Sequence, residues 1–280
     1  MVMMTAMTFE ITLHGRIRSW LFAMQNGRGG RILRRSLRLV LKGHFNMRIL
    51  SRATRITSIV LMLTGAVLAQ ESPEANRKVA DGGIHVPGWQ GKVDADAEKA
   101  GQTVNDAKLA SEGKTLMVTT GPATTYWNPE NVAKGDYTVS ATFTEPKFMN
   151  LNTHPHPYGI VIAGNDLGTA QQSYVYCAAY GSGNFIVRGF GPEPFQLNGR
   201  REANDAVHKA AGPGQPVTQE IAMQVKGDKV SCIINGTAVK TFEKSELVAP
   251  GKLKSTDGVY GIRFAHNTEA TVTGLKMTKP

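Results

Sequence analysis

From Val86 onward the chain breaks into short apolar runs separated by Gly, Pro, Asn and Asp. Asp136 to Thr144 is the clearest run. Tyr137, Val139, Ala141 and Phe143 alternate with Thr138, Ser140, Thr142 and Thr144. A period of two predicts a half-buried strand, because successive side chains point to opposite faces. Thr115 to Thr120 predicts another strand, closed by Gly121-Pro122. Tyr158 to Ala163 is apolar at both parities and predicts a strand in the middle of a sheet. Ser173 to Tyr180 and Phe185 to Phe190 flank Gly181-Ser182-Gly183-Asn184, which predicts a hairpin. The device repeats at Glu220 to Lys226, Lys229 to Ile234 and Thr237 to Phe242, with turns at Gly227-Asp228 and Asn235-Gly236. Gly258 to Ala265 and Ala270 to Met277 are expected to pair across His266 to Glu269. Short helices are expected only at 94–100 and 245–249. About ten strands without a long helix predict an all-β, two-sheet antiparallel sandwich. Gly191 to Pro216, with four prolines and three more glycines, reads as a long loop.

The N-terminal texture is different. Arg48, Arg52 and Arg55 precede an apolar run from Ile56 to Leu68, and Val67-Leu68-Ala69 offers small residues for cleavage after Ala69. This order is that of a signal peptide starting at Met47. The run holds 13 residues, short of the roughly 20 that span a bilayer. Four segments follow: a basic extension (1–46), a signal peptide (47–69), a linker (70–85) and a sandwich domain (86–280). The extension is expected to reflect a misplaced start; the competing reading is a basic arm that binds nucleic acid through Arg28 to Arg38.

Charge then changes meaning. The chain carries +10 overall, but residues 1–69 hold eleven Lys and Arg against Glu10 alone. The remaining 211 residues balance 21 basic with 21 acidic side chains. The mature part therefore has no global pull toward nucleic acid or anionic membrane, and no membrane span after processing. The expected location is the periplasm or the extracellular medium. In such an oxidising compartment Cys177 and Cys232 either pair or remain as buried thiols.

Gly258-Val-Tyr-Gly-Ile-Arg-Phe-Ala-His266, then Val272-Thr-Gly-Leu-Lys276, the meander Val225 to Gly236 and Trp89 carry a resemblance. Residues 86–279 resemble the concanavalin A-like jelly-roll domains of exported bacterial proteins. They are most similar to the DUF1080 type, the 3-keto-disaccharide hydrolase domain, and to laminin-G-like modules. The resemblance implies a jelly roll with a sugar-related or cell-envelope role in Gram-negative bacteria. The middle strand, Ser173 to Cys177, lacks the acid that such domains usually carry there.

Candidate chemistry follows from parity. Tyr174, Tyr176 and Tyr180 share one face of their strand, and Val175, Cys177 and Ala179 share the other. Aromatic rings with polar tips suit sugars, whose C–H faces are apolar and whose edges hydrogen-bond. Arg188 and Arg263 sit within strands and suit hydroxyl or carboxylate recognition. Trp127 is expected in a turn-rich segment, as a stacking platform or a lid. With Tyr158 and His266 these complete the expected ligand-binding set. No pair of carboxylates lies at i, i+2 on an expected central strand, so no catalytic residue is assigned. His154 and His156 stand at i, i+2 and, in an extended segment, point to opposite sides, so no metal site is expected there without further ligands. Asn165-Asp166 is a candidate calcium site. The leading expectation is an exported carbohydrate- or envelope-binding sandwich without catalysis. A sugar hydrolase or lyase using His266 and Arg263, and a structural or protein-interaction module, are the alternatives.

Overall fold

The computed structural model describes residues 74–280. The expected signal peptide and the basic extension lie outside the described residues. The strands, in chain order, are β1 (Gly83–Ile84), β2 (Gln90–Val93), β3 (Ala107–Glu112), β4 (Thr115–Thr120), β5 (Thr124–Ala133), β6 (Tyr137–Glu145), β7 (Pro157–Asn165) and β8 (Ser173–Tyr180). They continue as β9 (Asn184–Phe190), β10 (Pro194–Gln196), β11 (Glu202–Ala203), β12 (Val217–Lys226), β13 (Lys229–Ile234), β14 (Thr237–Glu243), β15 (Gly258–Phe264) and β16 (Glu269–Thr278). The first sheet runs β1-β3-β4-β16-β6-β12-β13-β14, and the second β10-β9-β8-β7-β15-β5-β2, with β11 also on β9. Pairing is antiparallel apart from β1 on β3. The result is a two-sheet jelly-roll sandwich. Two short helices, α1 (Ala95–Lys99) and α2 (Lys244–Leu247), fall where the sequence placed them.

The patterning carries through to packing. Along β6 the apolar set is buried and the Thr/Ser set half-buried. β7 lies between β8 and β15, so it is buried at nearly every position. The Asn235-Gly236 turn adopts φ of 49° and 81°, the positive pair that a two-residue hairpin loop needs. The inter-sheet core gathers Phe143, Tyr158, Ile160, Val175, Phe185, Ile221, Met223 and Phe264. A disulfide joins Cys177 of β8 to Cys232 of β13, so it crosses between the sheets, with the Cα atoms 5.6 Å apart. That resolves the choice between paired and free cysteines.

Four expectations change. β15 and β16 do not form a hairpin. β15 pairs with β5 and β7, and β16 with β4 and β6, so the His266 to Thr268 turn crosses from one sheet to the other. Trp127 is not in a turn but in β5, a strand of 10 residues. Pro129 is tolerated because the register jumps there: Gly261 faces Trp127 while Val259 faces Val132. The intervening residues bulge and need no ladder donor. The loop 191–216 contributes two short strands, β10 and β11, to the edge strand β9. From Glu74 the segment before β1 is docked rather than free-standing. The Asn267 side chain accepts from the Arg77 amide at 2.8 Å and donates to the Ala75 carbonyl at 3.0 Å.

Candidate functional site

The face of the second sheet turned away from the core carries the aromatic residues. Val175, Cys177 and Ala179 point into the core, as the parity of β8 requires. Tyr174, Tyr176, Ala178 and Tyr180 therefore point outward, where Val161 and Ile186 join them in a second apolar cluster edged by Leu167 and Phe190. Apolar residues on both faces of one sheet explain why all of β8 is buried. The Tyr174 and Phe190 rings lie 5.1 Å apart, and Tyr174 and Tyr176 6.4 Å.

Arg263 organises this face. Its guanidinium donates to the Thr125 hydroxyl at 2.8 Å, the Tyr174 hydroxyl at 3.1 Å and the Asp94 carboxylate at 2.6 Å. It also lies 5.0 Å from the Tyr176 ring centre and 5.1 Å from that of Phe190. Burial opposes its charge, but Asp94, with Tyr174 and Tyr176, outweighs burial and raises its pKa. Asp94 precedes α1 yet makes no side-chain cap, because its carboxylate is turned to Arg263. Gly159 faces Arg263 in register, and a Cβ there would sit 1.9 Å from the Cys177 carbonyl oxygen. Only glycine fits that close approach. Burial pushes the Tyr174 hydroxyl upward in pKa, so it stays a neutral hydrogen-bonding group.

The expected residues divide accordingly. Tyr174, Tyr176, Arg188 and Arg263 come together on one face, and Trp127 lies on it beneath Gly168 of the loop after β7. Little of their area is open: Tyr176 is 5% exposed and Arg263 7%. Arg188 and Phe190 are half-buried and form the accessible rim, with the guanidinium 5.9 Å from the ring centre. The Tyr180 hydroxyl donates to the Arg200 carbonyl, and Arg201 stacks on its ring. Tyr158 is a correction. It is fully buried in the inter-sheet core against Phe143 and Phe264, so it cannot meet a ligand. Phe190, Thr125 and Asp94 were missed as members. Phe190 had a sequence signal, since it shares parity with Arg188 at the end of the same hairpin.

His266 belongs elsewhere, with His154 and His156. The three rings offer nitrogen atoms lying within 4.8 Å of one another. The i, i+2 rule failed because residues 151–156 are irregular rather than extended strand. At the calcium candidate, the Asn165 amide donates to the Ala163 and Asp257 carbonyls, and the Asp166 carboxylate accepts from Lys254. A separate cleft of about 480 Å³ opens beyond the end of the β8–β9 hairpin, walled by Ser173, Pro192, Lys252, Leu253 and Lys254. The Ser173 hydroxyl there is buried without a partner.

No protein-family model matches the chain, and no curated protein matches it. Solved structures do. The carbohydrate-binding module CBM66 from Bacillus subtilis is similar with a TM-score of 0.45 at 8% identity, over 70% of this chain and 99% of that one. A protein with a galectin-like fold from Bacillus subtilis gives 0.46 at 11%, over 68% and 89%. The endo-β-1,3-glucanase from Pyrococcus furiosus gives 0.42 at 11%, over 66% and 85%.

Proposed function

We propose that the protein is an exported, non-catalytic binding domain that recognises a glycan at the outer face of its second sheet. One observation carries the reading: the cluster of Tyr174, Tyr176 and Phe190 around Arg263, with Arg188 on its open rim. An apolar ring surface bordered by a guanidinium offers what a saccharide uses, a flat partner for its C–H face and donors for its oxygens. Arg263 is spent on Thr125, Tyr174 and Asp94. Its part is to fix the rings, while Arg188 and the edges of Phe190 and Tyr176 meet the ligand. The same ion pair weighs against hydrolysis, since the Asp94 carboxylate is engaged by Arg263 at 2.6 Å rather than turned to a ligand.

A panel of immobilised saccharides tests this. Binding is expected for the wild type and lost for Tyr176→Ala, with Lys252→Ala, at the separate cleft, unchanged. No binding by the wild type, or loss with Lys252→Ala and not with Tyr176→Ala, would overturn it.

A further inference from the structure

The three histidines lie outside the aromatic face and have an arrangement of their own. His154 and His156 come from the segment that enters β7, and His266 from the turn that crosses between the sheets. Several bonds hold these pieces together. The Asn152 amide donates to the Asn267 carbonyl at 2.8 Å, and Glu74 accepts from the Thr153 amide at 3.2 Å. Ring centres lie 4.3 Å apart for His154–His156 and 4.1 Å for His156–His266.

One outer contact fixes which nitrogen of its ring carries hydrogen. His156 Nδ1 lies 2.6 Å from the His266 carbonyl oxygen, so it must donate, which leaves Nε2 as a bare lone pair. His154 Nδ1 lies 3.6 Å from the Glu74 carboxylate, so that edge of the ring is turned to Glu74 and Nε2 to His156. These two Nε2 atoms face each other at 2.8 Å. His266 Nδ1 is buried and has no hydrogen-bond partner. Nitrogen atoms of the three rings thus lie within 4.8 Å of one another, close enough for one cation to bind all three.

Distances and chemistry select the ion. Zinc bound at about 2.0–2.1 Å in tetrahedral geometry places its nitrogens about 3.3 Å apart, between the 2.8 Å of the His154–His156 pair and the 4.8 Å within which all three lie. Imidazole ligands suit zinc and its neighbours, whereas calcium and magnesium require six or more oxygens. A backbone carbonyl on one ring and a carboxylate on another are the outer contacts that orient metal-bound histidines.

We propose that His154, His156 and His266 form a zinc site, with Glu74 and the His266 carbonyl orienting two of the rings and a fourth position left open.

Calorimetric titration of the untagged, chelator-stripped protein with Zn²⁺ tests the site, with metal content measured after dialysis. One equivalent is expected to bind and be retained. Co²⁺ in its place is expected to give the visible absorption of a tetrahedral nitrogen site. His154→Ala is expected to weaken binding by more than about tenfold and Glu74→Gln by about tenfold, while His208→Ala changes nothing. The His154 side chain is 41% exposed, so its variant folds even where His156→Ala does not. A wild type that binds Zn²⁺ no better than His154→Ala, or equal loss with His208→Ala, would overturn the site.

Discussion

Asp94→Asn changes a single charge at the centre of the aromatic face. The Arg263 side chain is 8% exposed and that of Asp94 33%. Stranding one member of a fully buried ion pair costs about 3–5 kcal/mol, because the remaining charge stays in a low-dielectric site. Water reaches part of Asp94 and screens the pair, so the expected cost falls to about 2 kcal/mol. Arg263→Met behaves differently. It removes the buried charge itself, Asp94 rehydrates, and Thr125 and Tyr174 keep their own hydrogen bond at 3.0 Å. In that background Asp94→Asn has nothing to strand and is expected to cost almost nothing. The coupling energy of the cycle is therefore about 2 kcal/mol. Urea unfolding of the four proteins at neutral pH measures it. A coupling below about 0.5 kcal/mol, the usual error of additivity, would refute the claim that Asp94 holds Arg263 in place.

The disulfide and a buried carboxyl give further tests. Cys177 and Cys232 close a loop 55 residues apart in sequence. Replacing both by Ala is expected to cost about 4 kcal/mol by loop-closure entropy, a fall in Tm of roughly 8–16 °C; a loss under about 1 kcal/mol in thermal or urea unfolding would contradict the entropic account. Burial raises the Glu145 pKa to about 7, only partly offset by the Met149 amide, and its second oxygen has no partner near the equally unpartnered Tyr158 hydroxyl. A carboxyl whose folded pKa is raised weakens the fold as pH rises from about 4.5 to about 7 and costs nothing below that window. Glu145→Gln is expected to match the wild type in acid and exceed it above the window by up to about 3 kcal/mol. Parallel unfolding–pH curves would show the carboxyl to be hydrated.

The parts of the fold legible in the sequence are those where local period and turn chemistry agree. β6 shows in its strict alternation, and β8–β9, β12–β13 and β13–β14 are hairpins joined by Gly- or Asn-containing turns. The β15–β16 relation was hidden because neighbours in sequence usually pair, whereas here the chain changes sheets. β5 was hidden because Pro129 signals a break and only the register jump against β15 accommodates it. Parity placed the tyrosines and Arg188 correctly on the outer face. It misjudged Tyr158, because β7 is apolar on both faces and gives no hint which one meets the core. Arg263–Asp94 has no local signature, and the histidine group has only part of one, in His154 and His156. Asp94 lies 169 residues from Arg263 and His156 110 from His266, and only the closed sandwich brings them together.

The outer face as a saccharide site is tested most directly by calorimetric titration of the strongest saccharide from the panel into the wild type and Arg188→Ala. A charged hydrogen bond to the ligand contributes about 1.5–3 kcal/mol, so Arg188→Ala is expected to weaken binding by at least about tenfold with unchanged unfolding. An affinity unaltered by Arg188→Ala would contradict the assignment of this face.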